Sequence, residues 1–289
     1  MKAKKVKVLI LGATGMLGNT LFRLFSADAD LITFATVRGA HPPHKLPASL
    51  HSNILCNVNV ESFDDLVHVL ARNRPDVVIN CIGIIKQLPT ANDPRVSIPI
   101  NSILPHRLAD LCALIGARLV HISTDCVFSG SKGSYTEDDF ADAYDLYGRT
   151  KYLGETNSEN AITLRTSIIG HELESSNGLV GWFLSQTGTV AGYTRAIFSG
   201  LPTVELGNVI RDHVIPSPEL HGVYHVSAAP ISKYELLKLI SVVYGVTTRI
   251  VVDDKVVIDR SLDSSQFRSV TNYIAPAWPE LVQRMRTFG

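Results

Sequence analysis

At 289 residues the chain is long enough to bury a sizeable core, and 45% hydrophobic against 19% charged residues excludes disorder as the default. With 27 basic and 27 acidic residues the formal net charge is zero, which removes the electrostatic case for nucleic acid or an anionic membrane as partner. Four cysteines, Cys56, Cys81, Cys112 and Cys126, are scattered without C-x-x-C pairing, which fits reduced thiols and no metal site.

Met1 to Lys7 is basic, but the apolar run from Val8 to Leu11 is far too short for a signal-peptide core and ends in a glycine turn. No other stretch approaches the roughly 18 uninterrupted apolar residues of a membrane helix. A soluble, cytoplasmic protein is expected. Val6 to Leu11 reads as a strand buried on both faces, and Thr14 to Phe25 follows with helical spacing. Strands are then expected at Leu31 to Val37, Ile54 to Cys56, Asp76 to Ile82, Arg118 to Ser123 and Ala161 to Thr166. The intervening helices fall at Glu61 to Arg72, around Asn101 to Ile115 and around Tyr144 to Ser158. Alternation of this kind predicts an α/β fold with a doubly wound parallel sheet. Residues 1–166 form the dinucleotide-binding part. A smaller C-terminal lobe is placed at 167–289, with Gly/Ser-rich loops at 170–178 and 188–202, a helix at Tyr234 to Tyr244 and a strand at Thr248 to Val252. Segments of that lobe are allowed to return to the main sheet.

Gly12, Gly15 and Gly18 are spaced G-x-x-G-x-x-G between the first strand and the first helix. At that junction Gly12 permits a tight turn, Gly15 lets backbone approach a pyrophosphate, and Gly18 lets helix pack on strand, while helix N–H groups face the phosphates. An NAD site usually carries a carboxylate about 20 residues past the loop. Here that place reads Thr36-Val37-Arg38-Gly39, and a guanidinium holds the extra phosphate of NADP where a carboxylate would repel it. NADPH is therefore the preferred cofactor, with NADH as the lesser option.

Tyr147 and Lys151 stand four residues apart, on one face of a predicted helix. A free phenol has a pKa of about 10, and a nearby ammonium is the means to make it a useful acid or base. The run His121-Ile122-Ser123-Thr124-Asp125-Cys126-Val127-Phe128 leaves a buried strand at the end where open α/β sheets bind ligands, so Thr124 is the third catalytic candidate and Ser123 a supporting residue.

These residues sit in the strings LILGATGMLGNTL, RPDVVINCIG, HISTDCVFSG, GSYTEDDFADAYDLYGRTKYLGE, LRTSIIG, GVYHVSAAPISKYELLKLI and DRSLDSS. In this order and spacing they resemble the extended short-chain dehydrogenase/reductase family, and within it the dTDP-4-dehydrorhamnose reductase-like group of sugar-nucleotide enzymes, over nearly the whole chain. The resemblance implies a Rossmann domain with a substrate lobe, and a place in polysaccharide biosynthesis. It makes Thr124, Tyr147 and Lys151 a catalytic triad. Implied cofactor contacts are Gly12, Thr14, Gly15, Met16, Leu17, Arg38, Asn57, Cys81, Ile82, Gly83, Tyr147 and Lys151, with Asn80 beside them. Arg165-Thr166-Ser167 falls where the chain leaves the cofactor domain, and Arg260 is aimed at the nucleotide diphosphate. Two departures stand out: Cys56-Asn57-Val58 where an aspartate is usual beside the adenine, and Cys126 where a tyrosine is usual.

The reaction so implied is NADPH-dependent reduction of a nucleoside-diphosphate 4-keto-6-deoxy sugar. Tyr147 gives the proton, Lys151 lowers the tyrosine pKa and orients the nicotinamide ribose, and Thr124 bonds the carbonyl oxygen. Dehydration is disfavoured, because no glutamate follows Asp125. Two alternatives stay open. One is an epimerase-reductase like GDP-fucose synthase, using Cys126 with His171 as a loose partner. The other is a nonenzymatic NADP-binding regulator like the β subunit of methionine adenosyltransferase. A homodimer is also left open.

Other features read more plainly. His221 and His225 lie on a predicted strand, which denies them one metal-binding helix face. Trp182-Phe183 is as well suited to a core anchor as to base stacking. Glu137-Asp138-Asp139 reads as a solvated loop ahead of a helix, and Lys86-Gln87 and Pro89 follow the cleft end of the fourth strand.

Overall fold

In the computed structural model, which describes residues 4–289, the side chains of β1 (Val6–Leu11) part to two sides. Val8 and Ile10 join one apolar cluster and Leu9 and Leu11 the other, all at 1% exposure or less. A strand with two buried faces needs layers above and below it. It has them, in a seven-stranded sheet with β2 (Leu31–Thr36), β3 (Ile54–Leu55), β4 (Val77–Asn80), β5 (Arg118–Thr124), β6 (Ala161–Thr166) and an outer strand, Gly222–His225. The spatial order is outer strand, β6, β5, β4, β1, β2, β3, every pairing parallel. Chain order reverses between β1 and β4, and the register sets Leu11 level with both Thr36 and Asn80. That opens a crevice at the carboxyl ends of the strands. The doubly wound α/β fold is the expected one. Met1–Ala3, the first part of the basic N-terminal stretch, lie outside the described residues.

Helices Met16–Ser26, Thr203–Val209 and Trp278–Phe288 cover one face, and Phe63–Asn73 and Leu104–Ile115 the other. Ser62 caps the first turn of Phe63–Asn73 by accepting from Asp65 N, and Gly116 ends Leu104–Ile115 in the left-handed conformation that glycine adopts without strain. Segments beyond residue 167 return to the sheet: the outer strand pairs with β6, and Thr203–Val209 and Trp278–Phe288 pack in the same core cluster as Met16–Ser26.

Three expectations are corrected. The helix placed around 144–158 spans only Leu146–Leu153. Asp145 starts it by accepting from Gly148 N at 2.8 Å, and Gly154 ends it where a β-carbon would lie 1.9 Å from Asn101 O. The helix placed around 101–115 begins as Pro94–Ser97, widens into a π-helical stretch at Ile98–Ile103, and becomes α-helical from Leu104. Residues 188–202 are not loop. They hold strands Thr189–Tyr193, Ala196–Phe198 and Leu201–Pro202, which pair respectively with Arg249–Asp253, with Ile231–Ser232 and Ile258–Asp259, and with Ile168–Ile169. No helix among the described residues is long and apolar enough to cross a membrane.

Candidate active site

The glycine loop has the shape its spacing implies. Gly12 adopts φ +92°, and a β-carbon there would lie 2.8 Å from Ile82 Cγ1. Gly15 is the N-cap of helix Met16–Ser26 and no side chain caps it, so the first N–H groups are left for a ligand. A β-carbon on Gly15 would meet only Gly12 O, at 3.6 Å, so the loop is open on the side a diphosphate would use. Thr14 is exposed, Leu17 points into the core, and Met16 lies under Gly178, whose β-carbon would fall 2.6 Å from Met16 Cε. These residues fit a dinucleotide bound through backbone amides.

Arg38 is exposed just past β2 and makes no hydrogen bond or ion pair with another described residue. Asn57, also exposed, has φ +56°, a left-handed conformation that asparagine tolerates, and its N–H donates to Gly39 O at 3.0 Å. The turns after β2 and β3 are thereby joined, with Arg38 and Asn57 at the same rim. On the other side, Asn80 is buried and holds the turn after β4: its Oδ1 accepts from Ile82 N at 3.1 Å, and its amide pairs with His121 Nδ1 at 3.2 Å. Cys81 and Gly83 follow in that turn. Burial pushes the Cys81 thiol up to about 12 against the opposing charge of Lys151, and a β-carbon on Gly83 would lie 4.0 Å from Lys151 Nζ.

Lys151 is 5% exposed and donates through Nζ to Ile122 O at 2.7 Å. Burial lowers its pKa to about 8, with Glu155 and Cys81 pulling the other way. Tyr147 is half-buried. Its pKa is raised, not lowered as the Tyr/Lys spacing implies: burial is the first cause and the Cys126 thiol the next, with Thr124 favouring the anion. The Lys151 ammonium is itself desolvated and committed to a carbonyl, so the phenol keeps its proton at neutral pH. Thr124 accepts from Cys126 N at 3.1 Å and spends its one proton on Asp125 Oδ1, also at 3.1 Å. That one proton stabilises the phenolate only when the hydroxyl turns from Asp125 to Tyr147.

Asp125 is buried, and burial raises its pKa against Arg260, Thr124, Cys126 and Lys233. Arg260 donates through Nε to Phe128 O at 2.7 Å, which holds a guanidinium beside this corner. Lys86 pairs with Asp145 at 2.8 Å, the same carboxylate that caps helix Leu146–Leu153. Arg260, Lys233 and Lys86 make a cationic surround for the turn after β5.

Two residues escaped the sequence reading. Asn101, in the π-helical stretch, accepts from Ile84 N at 2.8 Å and donates to Ile84 O at 3.1 Å and to Thr150 Oγ1 at 3.3 Å, bracing the turn after β4 against helix Leu146–Leu153. Its one signal was a lone amide in the apolar run IPINSIL. Glu155 accepts from Ser123 and Arg165; its signal was the spacing of four from Lys151.

Other candidates lie elsewhere. His171 bonds Tyr244 through Nε2 at 2.8 Å and crowds the C-terminal Gly289, so it is no partner for Cys126. Burial also pushes the Cys126 thiol up to about 12, with Asp125 adding to it. Phe183 is a core residue beside the partly exposed Trp182. His225 faces Arg165 and Tyr135 O, and Glu137 accepts from His225 N at 2.7 Å, so the solvated-loop reading fails for that acid. A cavity of about 570 Å³ opens near Lys5, Asp76 and Arg118, at the opposite end of the sheet.

Comparison with known proteins matches residues 6–254 to the RmlD substrate binding domain family. The chain is similar to methionine adenosyltransferase 2 subunit beta of Bos taurus, 33% identical over 174 residues, which covers 58% of this chain and 48% of that one. It is similar also to dTDP-4-dehydrorhamnose reductase of Streptomyces griseus, 34% identical over 148 residues, covering 51% and 43%. The matched stretches span about half the length of these relatives. Among solved structures, dTDP-4-dehydrorhamnose reductase of Bacillus anthracis in complex with NADP superposes with a TM-score of 0.80 at 23% identity, covering 99% of this chain and 100% of that one. At that identity the likeness is one of fold.

Proposed function

Since the chain belongs to the RmlD substrate binding domain family, we propose that it is an NADPH-dependent reductase of a nucleoside-diphosphate 4-keto-6-deoxy sugar. The observation that carries this reading is the convergence of Thr124, Tyr147 and Lys151 at the cleft end of β5, beside an uncapped glycine loop. When bound, the nicotinamide supplies the hydride for the carbonyl carbon. Tyr147 donates its proton to the carbonyl oxygen, a task for which a raised pKa keeps it loaded; solvent then restores the phenol. Lys151 holds positive charge behind the nicotinamide half, and the exposed Arg38 takes the adenosine 2′-phosphate. Arg260, Lys233 and Lys86 offer charge to the diphosphate of the sugar nucleotide. Cys126 suits epimerisation poorly, because a thiol held protonated is a weak base and His171 bonds elsewhere.

A second reading is a regulatory subunit that binds NADP and a protein partner. The likeness to methionine adenosyltransferase 2 subunit beta favours it. The deciding experiment follows NADPH oxidation across dTDP-, GDP- and UDP-linked 4-keto sugars, and in parallel tests binding to a methionine adenosyltransferase catalytic subunit. Turnover of one keto sugar supports the reductase. Stoichiometric binding with no turnover on any of them would replace it with the regulator.

A further inference from the structure

Lys151 and Glu155 hold two consecutive residues of β5. Lys151 Nζ donates to Ile122 O at 2.7 Å, and Ser123 Oγ donates to Glu155 Oε1 at 2.6 Å; the next residue is Thr124. Glu155 is fixed in turn by the fork of Arg165 from β6, with Nε to Oε1 at 2.8 Å and a terminal nitrogen to Oε2 at 2.7 Å. Both side chains are 5% exposed. Arg165 reaches on to His225 Nε2 at 3.2 Å, and His225 Nδ1 to Tyr135 O at 3.0 Å. The chain of contacts runs from the catalytic helix through β5 and β6 to the outer strand.

A buried carboxylate–guanidinium pair is a poor source of stability, since desolvation consumes most of the Coulombic gain. Its placement here has a sharper consequence. The groups facing Lys151 are the Cys81 thiol and Gly83 from the turn after β4, His121 and Ile122 O from β5, and Glu155. Cys81 is held protonated and His121 is held neutral by burial, so Glu155 is the anion among them.

We propose that Glu155 is a positioning residue that, through Lys151 and Ser123, keeps the ammonium charged and sets the end of β5 that carries Thr124. The inference rests on the reading of Lys151 as part of the reductase machinery, but its test does not need turnover. In protein labelled with ¹³Cε-lysine, the Lys151 signal, identified by its loss in Lys151→Arg, is followed from pH 6 to 11. Glu155→Gln should move its midpoint acid-ward by about one pH unit or more. Glu155→Gln strands the Arg165 guanidinium, so the double variant Glu155→Gln/Arg165→Met, which removes that stranded guanidinium as well, is titrated beside it and should also shift acid-ward. A wild-type midpoint in either folded variant overturns the proposal. In the NADPH oxidation assay the alkaline limb should shift by the same amount and return in part with Glu155→Asp. If wild type turns over no keto sugar while the midpoint still moves, the reductase reading fails and the role of Glu155 toward Lys151 stands.

Discussion

Gly18 packs over Gly12 so closely that a β-carbon on Gly18 would lie 2.0 Å from Gly12 O. Helix Met16–Ser26 and β1 share that contact, so Gly18→Ala must push them apart, at about 1–3 kcal/mol for an overpacked core site. At Gly15 the same added methyl meets Gly12 O at an ordinary 3.6 Å. Gly15→Ala should therefore change stability by no more than about 1 kcal/mol while weakening NADPH binding about tenfold or more, because it fills the open side of the loop. Urea melts and fluorescence titrations of both variants separate the two effects. Equal loss of stability in both would refute this division of roles.

What could be read in advance was local. The apolar run of β1, the glycine spacing and the Tyr147–Lys151 pair each lie within a few residues, where sequence period maps directly onto geometry. What could not be read is held by distant partners. Ala196–Phe198 and Leu201–Pro202 are too short to show a period, and each exists because a strand remote in sequence pairs with it. The helix after Leu146 stops at Gly154 because Asn101 O presses on it, a contact no helical pattern encodes. Asn101 and Glu155 act through bonds to Ile84, Ser123 and Arg165, and the opposite sign of the Tyr147 shift follows from burial, which residue spacing does not report.

Arg38 gives the cofactor prediction. The side chain supports no other described residue, so Arg38→Asp should leave stability within about 0.5 kcal/mol. A charge-assisted contact of about 1.5–3 kcal/mol would be lost and repulsion added, so NADPH affinity should fall about tenfold or more, with NADH affinity unchanged or improved. Dissociation constants for both cofactors decide the point. Parallel losses for the two would make Arg38 structural and remove the basis for preferring NADPH.

Tyr147→Phe should lower turnover by about a hundredfold or more while NADPH binds within about twofold of wild type, since the change removes a proton and little surface. The phenol pKa is raised, so it stays protonated well above neutrality; the alkaline limb of the rate profile should then report Lys151, near pH 8. A variant with near wild-type turnover on the same substrate would end the assignment of Tyr147 as proton donor.

Lys151 gives a prediction that needs neither substrate nor cofactor. Burial depresses its pKa from 10.5 to about 8, so between those values the unfolded chain binds a proton that the native state does not. Stability from this group therefore rises with pH across that window. Below pH 8 both states carry the proton, and the native state bears the full cost of burying it, about 3 kcal/mol at 1.36 kcal/mol per unit. Cys81, Cys112 and Cys126 oppose the trend: their pKa values are raised to about 12, so the unfolded thiols ionise first and stability falls as pH climbs past their ordinary range. Only a difference between variants isolates the lysine. Lys151→Met gives up the bond to Ile122 O, about 1 kcal/mol, but removes the buried charge, so it should be about 2 kcal/mol more stable than wild type at pH 7. That advantage should vanish by pH 10.5, where the wild-type lysine is neutral in the fold. Urea melts of both proteins at the two pH values measure it, and a difference that does not change with pH would mean that Lys151 carries the same charge in the folded and unfolded states throughout.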